Sequence, residues 1–362
     1  MAAVSVAITG AQVCHSQRLG GWTRESATLA APVMRSLQLF LPYAVPFAAH
    51  EREALAALPA LSRLLARGRA TGLGTEPWEA ALLESFGIVR QRDWPLAPLS
   101  WLGEGGDRAE GYWLHADPVH LRAERDALVL LDARHFVLEA EAADALVDAL
   151  STHFAPDGLR FFAPDPTRWY VRVDRVPGIA TWPLRAAAGR SIDALLPYGA
   201  DALAWHRRVN EAQMLLHAHA VNEMRESAGQ PAVNSVWFWG GGVLPGVPGG
   251  RLSSVWGDDP LVRGLARVAR LSCAALPEHA EHWLARSAAG EHVVVLAPTT
   301  AQPREALLAA EELWFAPLLR ALKRRQLSAL TLVAEDGGTA ARFEVRPTDL
   351  WKFWRRSRLL AH

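Results

Sequence analysis

The chain has 362 residues, 50% of them hydrophobic and 21% charged, and a formal net charge of zero. That length allows two domains or one large one with a sizeable core. The balanced charge gives no global pull toward nucleic acid or an acidic membrane, and no apolar run reaches the roughly 20 residues of a membrane helix.

All but two of the 38 basic residues are arginines; the lysines are Lys323 and Lys352. Cys14 and Cys273 are far apart and make neither a disulfide framework nor a zinc spacing, which suits a reducing cytoplasm. The N-terminus lacks a basic stretch followed by an apolar one, so no secretory signal is expected. Residues 1–33 lack periodicity and read as a loose extension, with Met34 as an alternative start.

From Met34 the chain acquires pattern. Ser36–Leu41 reads as a first strand ended by Pro42. Glu51–Arg67 has helical spacing through Leu55, Leu58, Leu61 and Leu65. Trp78–Phe86 reads as a short helix stopped by Gly87, and Pro95–Gly111 as a long loop. Residues 34–105 would form the first part of an α/β core.

Residues 106–242 read as an inserted module. Tyr112–Leu121 and Ala127–Leu131 are strands, Glu139–His153 a helix, and Leu159–Ala163 and Trp169–Val173 strands again. Asp201–Met224 reads as one long helix, and Asn234–Trp239 as a buried strand ending in Gly240-Gly-Gly242. Residues 243–362 would complete the core. There, Val255–Arg270 carries helical spacing and Val293–Ala297 is strand-like. Arg304–Arg325 is an amphipathic helix, and Leu327–Ala334 with Ala341–Val345 makes a hairpin around Asp336-Gly-Gly338. The order of elements predicts a mixed α/β layer.

Three segments could carry a binding site, two of them for a metal and one for nucleic acid, and each reads better as structure. His115 and Asp117 share a strand face, while His120 points the other way. His279 and His282 are spaced for one helix face with Glu278 and Glu281 nearby, but no third or fourth ligand is visible, so a solvated helix start is expected. The terminal run Trp351-Lys-Phe-Trp354-Arg-Arg-Ser-Arg358 reads as an aromatic anchor followed by a solvated basic end, and nucleic-acid binding is not expected.

The most informative segment holds all three asparagines of the chain: Asn210, Asn222 and Asn234. An amide offers donors and an acceptor without charge, so it can fix a loop or hold a polar ligand. Asn210-Glu211 on a helix is followed by His219, Val221 and Asn222, and then by Arg225 and Gly229. The segment ends on Pro231, Ala232, Asn234, Trp237, Trp239, Gly240 and Gly242. This order resembles the inserted substrate-binding domain of archaeal-type cofactor-independent phosphoglycerate mutases. Gly189-Arg-Ser-Ile192 and Leu196-Pro-Tyr-Gly199 fit the same module. The whole chain is more similar still to the RpfE-type bacterial regulatory proteins, through its Leu-Phe-Leu-Pro start, Ala116-Asp-Pro-Val-His-Leu121 and Trp351-Lys-Phe-Trp354.

The resemblance implies an alkaline-phosphatase-like mixed-sheet core with an inserted α/β substrate-binding-like domain. It also implies two divalent metals, held by an Asp-Gly step after the first strand and by Asp-His pairs near the C-terminus. Here the first strand runs into Leu41-Pro-Tyr-Ala-Val-Pro46, which has no acid, and no Asp-His dipeptide occurs. Neither a metal nor a cofactor is therefore expected, and the chain reads as a degenerate relative with a regulatory or ligand-sensing role. The candidate ligand residues are Arg190, Asn210, Asn222, Arg225, Asn234, Trp239 and the run Gly240, Gly241 and Gly242. Arginine forks pair with phosphate oxygens. The glycines read first as a strand-to-loop turn, and second as a backbone cradle for an anion. A small phosphorylated metabolite or a protein is the expected partner. The alternative is an active metal-dependent phosphoester enzyme with a rearranged site built from Asp258, Asp259, His279 and His282.

Overall fold

A computed structural model of the chain describes residues 34–44, 56–106, 110–125, 127–247, 250–296, 303–336 and 339–352. The extension at 1–33, the start of the first predicted helix, the hairpin turn at 337–338 and the basic end after Lys352 lie outside these residues.

The chain begins with β1 (Arg35–Ala44), α1 (Pro59–Arg67), β2 (Arg69–Gly74), α2 (Trp78–Ser85) and α3 (Leu96–Gly103). It continues with β3 (Tyr112–Glu124), β4 (Ala127–Leu131), α4 (Ala140–Phe154), β5 (Leu159–Asp165), β6 (Arg168–Val173) and β7 (Ile179–Ala180). Next come α5 (Leu184–Ala187), β8 (Tyr198–Gly199), α6 (Ala202–His217), α7 (Ala220–Ser227) and β9 (Ser235–Val243). The last third holds β10 (Leu252–Trp256), α8 (Pro260–Ala269), β11 (Ser272–Ala274), α9 (Ala280–Arg286), β12 (Gly290–Val295) and α10 (Pro303–Ala310). A π turn at Glu311–Phe315 leads into α11 (Ala316–Lys323), and β13 (Ala329–Asp336) and β14 (Thr339–Val345) follow.

Two main sheets result. One is seven-stranded, in the order β11-β10-β12-β1-β13-β14-β2. Its first five strands are parallel, and β14 and β2 close the edge antiparallel. The parallel strands read as near-continuous apolar runs because both faces are covered. Leu37, Leu39 and Leu41 of β1 face one apolar cluster with α1, the π turn and α11, while Phe40 faces another with α2, α3 and α8. The other sheet, β4-β3-β6-β5 with β9 on β3, is antiparallel throughout. It covers its own core with α4 and α6 through Leu146, Leu150, Trp205 and Val209. The architecture is the mixed α/β one that the order of elements predicts.

Three local expectations change. The stretch after Pro95 is not all loop: Leu96, Leu99 and Leu102 lie on a buried face, and Pro98 sits in the first turn, where a missing N–H is tolerated. The long middle helix breaks at Ala218, where the His219 side chain accepts from Val221 N–H and starts α7. The glycine run does not end its strand; β9 passes through it to Val243. A Cβ on Gly242 would lie 2.6 Å from Pro95 Cβ, and one on Gly241 2.5 Å from the Tyr112 hydroxyl. The three glycines thus let α3 and β3 approach the strand.

Helix α3 connects the two sheets. It packs on β9 and β3 on one side and crosses α8 on the other. At the crossing, a Cβ on Gly103 would lie 1.8 Å from Pro260 O, and one on Gly264 1.8 Å from Leu99 O. Gly103→Ala or Gly264→Ala forces the helices apart, at or above the upper end of the ~1–3 kcal/mol typical of overpacking. Gly72→Ala, with nothing near its Cβ position, is the control and stays within about 0.5 kcal/mol. Urea unfolding midpoints of the three variants test this ranking.

Candidate functional site

The parallel strands β1 and β13 end at one cleft of about 800 Å³, which Pro42 and Glu335 border. The crevice outside the carboxyl ends of parallel strands is where open α/β sheets bind ligands. The core also supplies Glu76, Arg90, Asp93 and Trp94 from the turns around α2. The antiparallel sheet and its loops supply Arg134, Thr181, Trp182, Arg185, Arg190 and Tyr198, with Trp239 and Gly240 of β9 at the back.

Two polar ties hold these walls together. The buried Asp93 carboxylate accepts the Thr181 N–H at 3.0 Å and its hydroxyl at 2.5 Å. Arg185 reaches across to Glu79 at 2.7 Å and Glu335 at 2.8 Å. Burial pushes the Glu79 carboxyl up to about 7, against the pull of Arg185. Burial also raises Asp93, against its bonds from Thr181.

Trp239 is fixed from behind. Its ring stacks on His115 with centroids 4.3 Å apart, and its N–H donates to Asp117 Oδ2 at 2.7 Å. Asp117 also accepts Trp169 N–H at 2.9 Å. Burial lowers His115 to about 3, so the ring is neutral, and raises Asp117 to about 7. His120 lies apart, with Nδ1 2.8 Å from Ala232 O. The predicted split of these residues between the two strand faces is what the fold builds.

Of the nine residues singled out from the sequence, Arg190, Trp239 and Gly240 line the cleft. The others lie elsewhere. Asn210 is on an exposed position of α6. Asn222 is 1% exposed; its Nδ2 donates to Leu216 O and Val233 O at 2.8 and 2.9 Å, and its Oδ1 accepts Val233 N–H at 2.8 Å. Asn234 pairs with both backbone groups of Leu121, at 2.7 and 3.0 Å. Arg225 donates to Pro231 O at 3.0 Å and lies over the Phe136 ring. Gly241 and Gly242 face Tyr112 and Pro95, as described above. Asn222, Arg225 and Asn234 are ties between backbone segments. The residues not anticipated are Glu79, Asp93, Arg134, Thr181, Trp182 and Arg185. Their one sequence signal is the dense polar-aromatic run Thr181-Trp-Pro-Leu-Arg185.

The described lining of the cleft does not fit a pair of cations. Among the described residues its lining has no His or Cys, and its carboxylates are engaged: Glu76 by Arg90 and Trp94 at 2.8 Å each, Glu335 by Arg185, which also holds the buried Glu79 behind it, and Asp93 by Thr181. Among the described residues, the one group of three or more His, Cys, Asp or Glu with ligand atoms close together is Glu278, His279 and His282, within 4.8 Å. Its third member is Glu278, which the sequence places beside the two histidines without reading it as a ligand. It does not include Asp258 or Asp259, and Asp259 instead caps α8 by accepting Leu261 N–H at 2.8 Å.

No protein-family model matches the chain, and no curated protein matches it. Solved structures do. The chain is similar to a cofactor-independent phosphoglycerate mutase from Thermoplasma acidophilum DSM 1728 (17% identity, TM-score 0.43), over 86% of this chain and 89% of that one. It is also similar to the PH0037 protein from Pyrococcus horikoshii (14% identity, TM-score 0.51), over 87% and 88%. At such identities the likeness is one of fold. Among the described residues no helix is long and apolar enough to cross a membrane.

Two outcomes test this assignment of roles. Asn222→Ala strands a buried N–H and two carbonyls, each orphan costing about 1–3 kcal/mol; the urea midpoint falls, while the cleft of the folded fraction is unaltered. For Glu79, the folded carboxyl holds its proton up to about 7 and the unfolded one releases it near 4.5. The fold therefore binds the extra proton between those values, and stability from this group falls as pH rises through them. Glu79→Gln removes that slope, so the variant gains on the parent chain between pH 5 and pH 8. A difference independent of pH contradicts the burial argument.

Proposed function

We propose that this protein is a catalytically degenerate relative of the phosphoglycerate mutases that binds a phosphorylated or other anionic metabolite in the cleft, in a regulatory or ligand-sensing role. One observation carries the reading: Arg90, Arg134, Arg185 and Arg190 line the cleft, and its carboxylates Glu76, Asp93 and Glu335 are each already paired with a protein group. Arg190 makes no ion pair among the described residues; its Nη1 donates to Ala186 O at 3.2 Å. Such a surface favours an incoming anion, and guanidinium forks pair with phosphate oxygens. The sequence resemblance over residues 205–242 supports the mutase kinship, and the acid-free stretch Leu41–Pro46 supports the loss of metal chemistry.

Calorimetry and thermal unfolding with 3-phosphoglycerate, inorganic phosphate and uncharged glycerol test the reading. The two anions raise the melting temperature and glycerol does not; at one hundred times its Kd a ligand stabilises by about 2.7 kcal/mol. Arg190→Ala removes charge-assisted hydrogen bonds worth about 1.5–3 kcal/mol, at least a tenfold loss in affinity. Manganese-dependent conversion of 3-phosphoglycerate, abolished by a chelator, refutes the degenerate-enzyme reading.

A further inference from the structure

The cleft has an aromatic wall that a small phosphate ester leaves unused. Trp182 and Tyr198 both line it, 39% and 50% exposed, with ring centroids 6.3 Å apart and planes tilted by 44°. Neither ring belongs to a buried apolar cluster. Among the described residues, neither the Trp182 N–H nor the Tyr198 hydroxyl has a hydrogen-bond partner. The other two indoles of the cleft differ. Trp94 and Trp239 pack against the core, and their N–H groups are held by Glu76 and Asp117.

The exposed pair stands on a fixed support. Thr181, next to Trp182, is clamped by Asp93, and Trp182 O accepts the Trp237 N–H at 2.9 Å. Tyr198 pairs with Ala180 across the short β7–β8 ladder, which places it beside Trp182. Ordered aromatic faces that stay in contact with water are stacking platforms, since a planar ring can lie on them offset at 4.5–7 Å. Arg190 lines the same cleft, and the volume of about 800 Å³ is that of a site for a drug-sized ligand rather than for a three-carbon acid.

We propose that the ligand is a phosphate ester carrying a planar heterocycle, a mononucleotide, whose ring stacks on Trp182 and Tyr198 while its phosphate pairs with Arg190. Every base offers a π face, so stacking alone does not choose among bases. This inference rests on the reading of the cleft as an anion site and adds the class of ligand.

The test is calorimetry on the full chain with AMP, GMP, CMP and UMP, each compared with 3-phosphoglycerate and inorganic phosphate. The variants are Trp182→Ala, Tyr198→Ala and Arg190→Ala; circular dichroism and melting temperature verify that each folds. At least one nucleotide binds ten times more tightly than 3-phosphoglycerate. Trp182→Ala lowers nucleotide affinity about tenfold and leaves phosphate affinity unchanged, and Arg190→Ala lowers both. If 3-phosphoglycerate binds as tightly as all four nucleotides, or Trp182→Ala and Tyr198→Ala leave nucleotide affinity unchanged, the nucleotide assignment is wrong while the anion site stands. If no phosphate compound binds, both readings fall together.

Discussion

The position of the cleft depends on two helices that cross without side chains between them. At Gly103 and Gly264 the backbones of α3 and α8 meet where a methyl group would overlap a carbonyl oxygen. Because α8 belongs to the seven-stranded sheet and α3 carries the antiparallel sheet on its other side, this contact sets the distance between the sheets. The glycines of β9 complete the arrangement by admitting Pro95 and Tyr112. On the far side of α3, Trp101 stacks on Trp113 at 4.8 Å and meets Phe162 and Tyr170. Close packing on both faces leaves α3 little freedom to shift. The walls of the cleft inherit that rigidity.

Within the cleft the dominant physical fact is the state of the carboxylates. A buried acid costs free energy unless it is protonated or paired. Glu79 is caught between these outcomes: burial raises its pKa and Arg185 lowers it. Arg185 in turn touches Glu335 from the end of β13, so one guanidinium bridges two acids from separate elements, the partly protonated Glu79 among them. An ion arriving here meets a closed network. A cation would have to displace Arg185, whereas an anion meets guanidinium groups turned toward solvent, Arg134 being 72% exposed at its side chain. On the proposed reading the cleft selects by sign of charge before it selects by shape.

The sequence was most legible where periodicity is strong. The strands from Tyr112 to Val173 and the helix at Ala140–Phe154 are legible because alternation and 3.6-residue spacing survive burial. Legibility failed where a single close contact overrides local preference. Pro95 and Pro98 suggest loop, yet the leucines between and after them make a buried turn of helix. Gly240 to Gly242 suggest a turn, yet the glycines are there to let other backbone in, a fact that resides in Pro95 and Tyr112 far away in sequence. The cleft was least legible. Glu79, Asp93 and Arg185 are ordinary surface residues by composition, and only the fold brings α2, its following turn and α5 together.

The asparagine-bearing segment takes on a different meaning in this light. It was the strongest sequence signal and the basis of the mutase resemblance, but Asn222 and Asn234 bond to backbone groups of Leu216, Val233 and Leu121. An amide that mimics a peptide group is the natural solution where a helix end and a strand start must be joined inside an apolar core, because a charged side chain there would need its own counter-ion. Such a motif specifies how α7 meets β9 and how β9 meets β3. It says nothing about which molecule occupies the crevice in front of Trp239. A likeness read from that segment is one of scaffold, and on the proposed reading any ligand chemistry falls to Arg190 and the residues facing it.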